Sequence, residues 1–272
     1  MKILKKIGLY SVAAFFLVIN GYPFYFLITT SFKSQMDYMM NIWSFPNSVY
    51  LENYRLVLEP GFMRYFLNSA AVTAIAVTLI IISASLASYV FARMEFKFKN
   101  VLFIIFVAGM MIPIHTTLIP VYVLINKLGL YNSLQGLIGP YVSFGIPIAI
   151  FIMTGFFKEV SKDIIEAATI DGCSHLMIYG KILFPLSVPA IATVAIYNFL
   201  AIWNEFIYAL ILLNDKKLKT IPLGLREFYG IETVNIPGIL TAILVAALPV
   251  MLFYFFAQEK VVNGLVSGAV KG

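Results

Sequence analysis

Six long apolar stretches constrain the fold of this chain more than any other feature of its sequence. A helix needs about 20 mostly apolar residues to cross the roughly 30 Å hydrocarbon core of a bilayer. Only 12% of the 272 residues are charged and 61% are hydrophobic, whereas soluble domains carry about 25% charged residues. The sequence therefore predicts an all-α membrane protein with six transmembrane helices. The predicted spans are residues 9–30, 66–92, 101–125, 137–157, 186–212 and 237–257.

The distribution of lysine and arginine predicts how the chain is oriented in the membrane. Lys2, Lys5 and Lys6 precede the first apolar stretch and no Ala-x-Ala cleavage site follows it, so we interpret this stretch as an uncleaved anchor. A second basic cluster, residues 93–99, lies in a short connection on the same expected side. Since basic residues favour the cytoplasmic side, both termini are predicted to be cytoplasmic. The predicted organisation is a cytoplasmic N-terminus (1–8), a transmembrane domain (9–257) and a cytoplasmic tail (258–272).

The sequence lacks the motifs of the common enzyme classes. It contains no phosphate-binding Gly-x-x-x-x-Gly-Lys-[Ser/Thr] loop, no His-Glu-x-x-His zinc motif and no Gly-x-Ser-x-Gly nucleophile elbow. One cysteine and two histidines are too few for a disulfide framework or a Cys/His metal centre. The basic residues are dispersed between apolar stretches, which argues against a nucleic-acid partner. We therefore predict a chain without cofactor, metal or catalytic residues, in which any ATP hydrolysis takes place on a separate protein.

The most informative connection is loop 158–185, expected on the cytoplasmic side. Asp163 and Glu166 have the spacing of a capping box and predict a short helix over residues 164–170, capped by Asp163. Gly172 then permits the left-handed conformation that costs other residues about 1–2 kcal/mol, so the helix is expected to end there. A second helical stretch then leads back to the membrane. The pattern predicts a rigid, exposed projection that fits a groove in another protein.

Within this loop, the segment Glu166-Ala167-Ala168-x-x-Asp171-Gly172, followed by Ile182-x-Phe184-Pro185, resembles the EAA loop of ABC-importer permeases. Further matching segments point more narrowly to the carbohydrate-uptake permeases of the maltose-transporter type. They are Asn53-Tyr54, Asn68-Ser69, Phe91-Ala92-Arg93-Met94, Ile119-Pro120, Trp203-Asn204-Glu205-Phe206 and the tail of residues 264–272. The chain departs from the family pattern at Ser161, where proline is usual, and at Tyr179 and Phe184, which stand for Phe and Leu.

The resemblance implies a type I ABC-importer permease fold in a bacterial inner membrane. It also implies that the chain forms half of a sugar translocation pathway. Its partners would be a second homologous permease subunit, two cytoplasmic ATPase subunits and an extracytoplasmic sugar-binding protein. The residues implied to form the coupling helix, seated in a cleft of the ATPase, are Glu166, Ala167, Ala168, Asp171 and Gly172. The two alanines would allow a close backbone approach, and Glu166 would meet a basic residue.

A polar stripe runs along the fifth predicted span. At 100° per residue, a continuous helix places five polar side chains on one face. They are Tyr197, Asn198, Asn204, Glu205 and Tyr208. A charged side chain at the bilayer centre costs at least about 2.5–3.5 kcal/mol, so Glu205 is expected to face the bundle interior or water, near the outer boundary. Three interpretations stay open: contact with the sugar, contact with the partner permease, and hydrogen bonding within this subunit.

Other features also leave alternatives open. The long outer connections, residues 31–65 and 214–236, are either solvated linkers or a docking surface for an outside partner. Four prolines inside the predicted spans are expected to kink their helices: Pro113, Pro120, Pro147 and Pro249. The alternative functions are a permease for a non-sugar solute, half of a secondary transporter and a membrane enzyme. The second should show ionisable residues within several spans, and the third lacks a catalytic motif.

Overall fold

The part of the chain that the computed structural model describes, residues 2–226 and 235–269, is helical, and no β-strand occurs in it. The helices in chain order are α1 (Lys2–Ser31), α2 (Gln35–Met40), α3 (Glu52–Val57), α4 (Pro60–Arg93), α5 (Lys99–Ala108), α6 (Leu118–Lys127), α7 (Gln135–Glu159), α8 (Lys162–Ile170), α9 (His175–Ile178), α10 (Phe184–Leu186), α11 (Val188–Trp203), α12 (Ile207–Leu212), α13 (Ile221–Leu225) and α14 (Ile236–Ala269). Short helical turns join several of them.

Four of these helices are long and apolar enough to cross a membrane. The segments concerned are Lys6–Ser31, Pro60–Arg93, Gln135–Glu159 and Ile236–Phe256. Two bent helix pairs also have the length and composition of a span, so the described residues hold four candidate spans, or up to six if each bent pair crosses once. The all-α fold is thus confirmed, and the number of six crossings stays a prediction.

The third predicted span is not a continuous helix. One 3₁₀ turn, Gly109–Met111, ends its first half, and a second, Ile114–Thr117, begins its other half. The two halves are bent by 95°. Pro113 lies at the break with an extended backbone, as expected of a residue without an N–H. Pro120 does not kink its helix as we expected, because it lies in the first turn of α6, where its missing N–H breaks no bond.

The fifth predicted span, residues 186–212, is also interrupted, which corrects the continuous helix expected from its apolar sequence. Ser187 separates α10 from α11, and the helix pair around it is bent by 73°. At the other end, α11 stops at Trp203 and α12 starts at Ile207. The polar stripe therefore lies on two helices and the link between them, and the single-helix geometry does not apply beyond Trp203.

The chain divides into two compact units. One unit comprises Met1–Arg64 and Gly224–Pro249, and the other comprises Tyr65–Leu223 and Val250–Gly272. The second unit contains loop 158–185 and the polar stripe, and thus both candidate sites.

In the first unit, two polar side chains fold the connection after α1 back onto the end of that helix. The side-chain amide of Asn53 donates to the carbonyl oxygens of Ser31 (3.0 Å) and Lys33 (2.8 Å). The ammonium group of Lys33 is buried and donates to the carbonyl oxygens of Asn41 (3.1 Å) and Ile42 (2.8 Å). Burial lowers the pKa of Lys33. The Asn53-Tyr54 segment therefore contributes a structural tie.

The core of the second unit is built where α4, α7 and α11 meet. Buried apolar side chains from the three helices pack together there, among them Ile80, Met153 and Val194. Gly145 of α7 allows the closest approach: a Cβ atom at this position would lie 2.3 Å from Cδ1 of Ile80 and 2.4 Å from Oδ1 of Asn198. The absence of a side chain at this position is therefore required for the packing of all three helices.

Replacing Gly145 by alanine is expected to destabilise the protein by about 1–3 kcal/mol, because the new methyl group overpacks the contact with Ile80 and Asn198. Gly155→Ala is the matched control, since Gly155 lies in the same helix with no neighbouring atom within 4 Å of an added Cβ. That control should gain up to about 1 kcal/mol from helix propensity. Thermal unfolding of the detergent-solubilised chain measures both changes, and equal midpoints for the two variants would contradict this packing.

Candidate functional site

Loop 158–185 begins with a capped helix, as predicted, but with a different cap. The helix α8 starts at Lys162, and its N-cap is Ser161, whose hydroxyl oxygen accepts from the N–H of Asp163 at 3.1 Å. The expectation that Asp163 caps a helix starting at residue 164 was wrong. The carboxylate of Asp163 instead accepts from the Ser161 hydroxyl at 3.0 Å. Serine at the usual proline position thus caps the helix.

The end of α8 confirms the predicted glycine turn. Gly172 has a φ of +80°. Its N–H donates to the carbonyl oxygen of Thr169 (3.0 Å), and the N–H of Cys173 donates to that of Ala168 (2.9 Å). This pair of bonds is the Schellman arrangement, which satisfies the last carbonyl groups of a helix. Ser174 then caps α9 through the N–H of Met177 at 3.4 Å.

The two alanines of the loop, Ala167 and Ala168, differ in exposure. Glu166, Ala167, Asp171 and Gly172 are exposed, whereas Ala168 is only 7% exposed and packs, with Ile165 and Cys173, against the core of its own unit. Ala168 therefore does not offer its surface to a partner, contrary to our expectation for both alanines. The small side chain of Ala168 permits close packing, and this packing is made with the core of its own unit.

Several apolar side chains on this loop are exposed, which we did not predict from the sequence. Ile170 is 86% exposed and Leu176 is 76% exposed, on either side of the Gly172 turn, and Ile164 and Met177 are exposed as well. Large exposed apolar groups are typical of an interaction site. The signal was present in the sequence as apolar residues flanking a turn, but their exposure is seen only in the folded loop.

Three side chains on α4 hold the loop from the inside and were also missed. They are Ser85, Tyr89 and Arg93. Arg93 is hydrogen-bonded to the end of α7, before α8, whereas Tyr89 and Ser85 are hydrogen-bonded to residues that follow the Gly172 turn. From the sequence, Arg93 was noted only in a matching segment and in the basic cluster of residues 93–99, because contacts between distant parts of a chain leave no mark in either part alone.

The second candidate site is the link between α11 and α12, where Glu205 is bonded entirely within this chain. One carboxylate oxygen, Oε1, accepts from the N–H of Tyr208 at 2.8 Å, and Oε2 accepts from the hydroxyl of Tyr141 at 2.6 Å and the N–H of Ala209 at 3.3 Å. A negative charge is favourable at a helix N-terminus, where free N–H groups point outward. These bonds favour a structural role for Glu205.

Four of the five stripe residues surround one small cavity. Its volume is about 120 Å³, and Tyr197, Asn198, Glu205 and Tyr208 contribute to its lining together with Tyr141 of α7. Ligand pockets usually enclose about 300–1,000 Å³, so this cavity is smaller than a typical binding site. The fifth residue is exposed and caps α11 instead: the Asn204 amide donates to the carbonyl oxygen of Leu200 at 2.8 Å. Nowhere in residues 2–226 and 235–269 are three His, Cys, Asp or Glu side chains grouped to hold a metal ion.

The outer connections are partly ordered by side-chain bonds. The amide of Asn68 donates to the carbonyl oxygens of Lys217 and Lys219, both at 2.9 Å, and the hydroxyl of Ser69 accepts from the N–H of Ile221 at 2.8 Å. In the connection of residues 31–65, the large side chains of Met36, Met39, Met40 and Trp43 are exposed, which favours the docking interpretation over a plain linker. Residues 227–234 of the other outer connection lie outside the described residues.

Comparison with known proteins gives a consistent result across nearly the whole chain. The family described as "Binding-protein-dependent transport system inner membrane component" matches residues 77–265. The chain is 43% identical over 256 residues to the putative ABC transporter permease protein ORF2 of Caldicellulosiruptor sp. (strain Rt8B.4), covering 94% of this chain and 93% of that protein.

Two further relatives carry more specific names. The chain is 34% identical to the melibiose/raffinose/stachyose import permease protein MelC of Bacillus subtilis (strain 168), covering 92% of this chain and 91% of the relative. It is also 34% identical to the trehalose/maltose transport system permease protein MalG of Thermococcus litoralis, covering 100% and 99%. Among solved structures, a chain of a bacterial ABC transporter involved in the import of the acidic polysaccharide alginate has the same fold, with a TM-score of 0.82, 20% identity and coverage of 94% and 96%.

Replacing Glu205 by alanine is expected to lower the free energy of unfolding by about 1–3 kcal/mol, because the Tyr141 hydroxyl and the first N–H groups of α12 lose their acceptor. Glu205→Gln keeps a carbonyl oxygen and should lose less. Asn204→Ala is the control, since this neighbouring side chain is exposed and bonds only within α11. Thermal unfolding of the three variants gives the order of their stability losses. An equal loss in Glu205→Ala and Asn204→Ala would contradict the structural role of Glu205.

Proposed function

Because the chain belongs to the family of binding-protein-dependent transport system inner membrane components, we propose that it is the transmembrane permease subunit of an ATP-driven sugar importer. One observation supports a sugar as the transported solute. Of two relatives that are 34% identical over more than 90% of both chains, one is a melibiose/raffinose/stachyose import permease and the other a trehalose/maltose transport system permease. The chain itself is a transport subunit and not an enzyme, and ATP is hydrolysed on a separate chain.

The proposed complex contains this chain, a second homologous permease subunit, two cytoplasmic ATPase subunits and an extracytoplasmic sugar-binding protein. The chain would form half of the translocation pathway in a bacterial inner membrane, with six crossings and both termini in the cytoplasm. The family description supports the membrane and the binding protein. The binding protein in this arrangement also agrees with a neighbour of similar fold, a bacterial alginate ABC transporter in complex with an alginate pentasaccharide-bound periplasmic protein (TM-score 0.66, 13% identity).

We assign the coupling to the ATPase to the exposed surface of loop 158–185. Its contact residues are Glu166, Ala167, Asp171 and Gly172, supplemented by the apolar side chains of Ile170 and Leu176. Burying a large apolar side chain gains about 1.5–3 kcal/mol. Docking into an ATPase cleft therefore supplies a driving force for two side chains that are now in water. Ala168 supports this surface from the inside.

The function is tested by reconstituting the chain with its partner permease, the ATPase subunits and the binding protein in lipid vesicles. We expect ATP hydrolysis to rise when the binding protein is added together with an α-galactoside or a maltose-type sugar, and the same sugar to accumulate inside. Binding protein without sugar serves as the control. Stimulation by phosphate, an amino acid or a polyamine in place of every sugar would instead support the non-sugar permease.

The Gly172→Asp variant is expected to insert into the membrane but to lose sugar uptake and co-purification of the ATPase. A side chain in the left-handed conformation costs about 1–2 kcal/mol, so the substitution strains the turn after α8. Gly180→Asp is the matched control: Gly180 lies in the same loop, also with open space around an added Cβ but without a positive φ. Uptake of labelled sugar and retention of a tagged ATPase measure both variants. Equal behaviour of the two would overturn the role given to Gly172.

A further inference from the structure

We propose that Ser85, Tyr89 and Arg93 are positioning residues that join both ends of loop 158–185 to α4, so that a displacement of α8 is transmitted to that span. We call these three residues the α4 clamp. The inference rests on the proposed function, because it concerns the route by which movement of the ATPase reaches the membrane.

The clamp occupies one face of α4. Its members are spaced by four residues, and residues spaced in this way lie above one another on the same side of a helix. At 1.5 Å per residue the three positions extend over about 12 Å along the C-terminal part of α4. Ser85 and Tyr89 are both buried, with 0% and 4% exposure. One face of α4 thus provides three polar groups at successive turns of the helix, two of them buried and one half-buried.

Arg93 holds the segment just before α8. Its guanidinium Nη2 donates to the carbonyl oxygens of Phe157 and Val160. These carbonyls belong to the last turn and the C-cap of α7, where no N–H of the same helix can bond them. A cation at this end also interacts favourably with the helix dipole. The end of α7, and with it the start of α8, is therefore tied to α4.

Tyr89 and Ser85 hold the segment just after the glycine turn. The hydroxyl of Tyr89 is hydrogen-bonded to Nδ1 of His175 at 2.9 Å, and that of Ser85 to the hydroxyl of Tyr179 at 2.7 Å. Since Ser85 donates to the carbonyl of Ile82 at 3.0 Å, it accepts from Tyr179. The Tyr89 ring also packs edge-on against His175 and Tyr179, with ring centroids 6.1 Å and 5.7 Å apart.

The consequence is mechanical. The exposed part of the loop, residues 161–174, is held at its beginning and at its end by the same helix face. A force on the exposed surface of α8 cannot displace the loop relative to α4 without breaking four partly buried hydrogen bonds, and each broken bond leaves a polar group without its partner. The loop and the inner end of α4 therefore move as one body.

The test compares two matched hydroxyl pairs in the assembled complex in lipid vesicles. The double variant Ser85→Ala/Tyr89→Phe removes both hydroxyl ties but keeps the packing volume. The control Ser31→Ala/Tyr54→Phe removes a serine–tyrosine pair of the same 2.7 Å length in the other unit. We expect both complexes to assemble and to hydrolyse ATP. Only the first should use more ATP per sugar transported, by at least about fivefold, the lower end of the usual range of coupling between sites.

A second measurement follows the movement itself. Spin labels are placed at Glu95, just beyond α4, and Lys162, at the start of α8, with the single native cysteine Cys173 replaced by serine. We expect the distance between the labels to stay constant when an ATP analogue binds the otherwise wild-type complex, and to change in the Ser85→Ala/Tyr89→Phe complex.

The outcomes separate the clamp from the proposed function. A wild-type complex without sugar-stimulated hydrolysis would overturn the proposed function. In an active complex, an ATP-to-sugar ratio that is equal in the clamp and control variants would overturn the clamp alone, and so would a label distance that stays as constant in the clamp variant as in the otherwise wild-type complex. Loss of assembly in the clamp variant but not in the control would show a purely structural role and would overturn it as well.

Discussion

Backbone groups at a helix end need hydrogen-bond partners, and in hydrocarbon no water supplies them. This constraint explains where an apolar chain places its few polar side chains. Arg93 bonds the final carbonyls of α7, Glu205 accepts from the first N–H groups of α12, and Asn68 bonds two carbonyls of an outer connection. Asn132 follows the same rule, since its Oδ1 accepts from the N–H groups of Asn214 and Asp215, both at 2.9 Å. These four polar side chains therefore bond backbone groups near the beginnings and ends of helices.

The features that could be predicted from sequence are those with a local cause. The length of the apolar stretches predicts the long helices because the bilayer sets a minimum length, and Gly172 predicts the turn because few other residues tolerate its backbone angle. Pro113 marks the break in the third predicted span, whereas the breaks inside the fifth could not be predicted from the sequence. Residues 204–206 lie in a sequence that favours helix on both sides, and Glu205 there is bonded by a tyrosine 64 positions earlier in the chain. Only the folded structure brings that partner close.

The same distinction applies to the candidate sites. Four of the five stripe residues line one cavity, although the continuous helix that suggested it is absent, because α12 returns Tyr208 to the side from which α11 presents Asn198. The pair Ala167 and Ala168 shows the opposite case: neighbours with the same side chain differ in exposure, since which of them faces the core depends on how α8 lies against it. Composition and spacing cannot specify that orientation.

The two caps around Cys173 have an evolutionary consequence. The Schellman end of α8 and the Ser174 cap of α9 fix the angle between these helices through backbone bonds and one serine hydroxyl. The exposed side chains of Ile170 and Leu176 are apolar and form no hydrogen bond that holds that shape. In the proposed contact with the ATPase, their identity can therefore change together with the opposing surface while the turn between them is preserved. A loop built in this way lets two proteins exchange contact residues over time without either one having to refold.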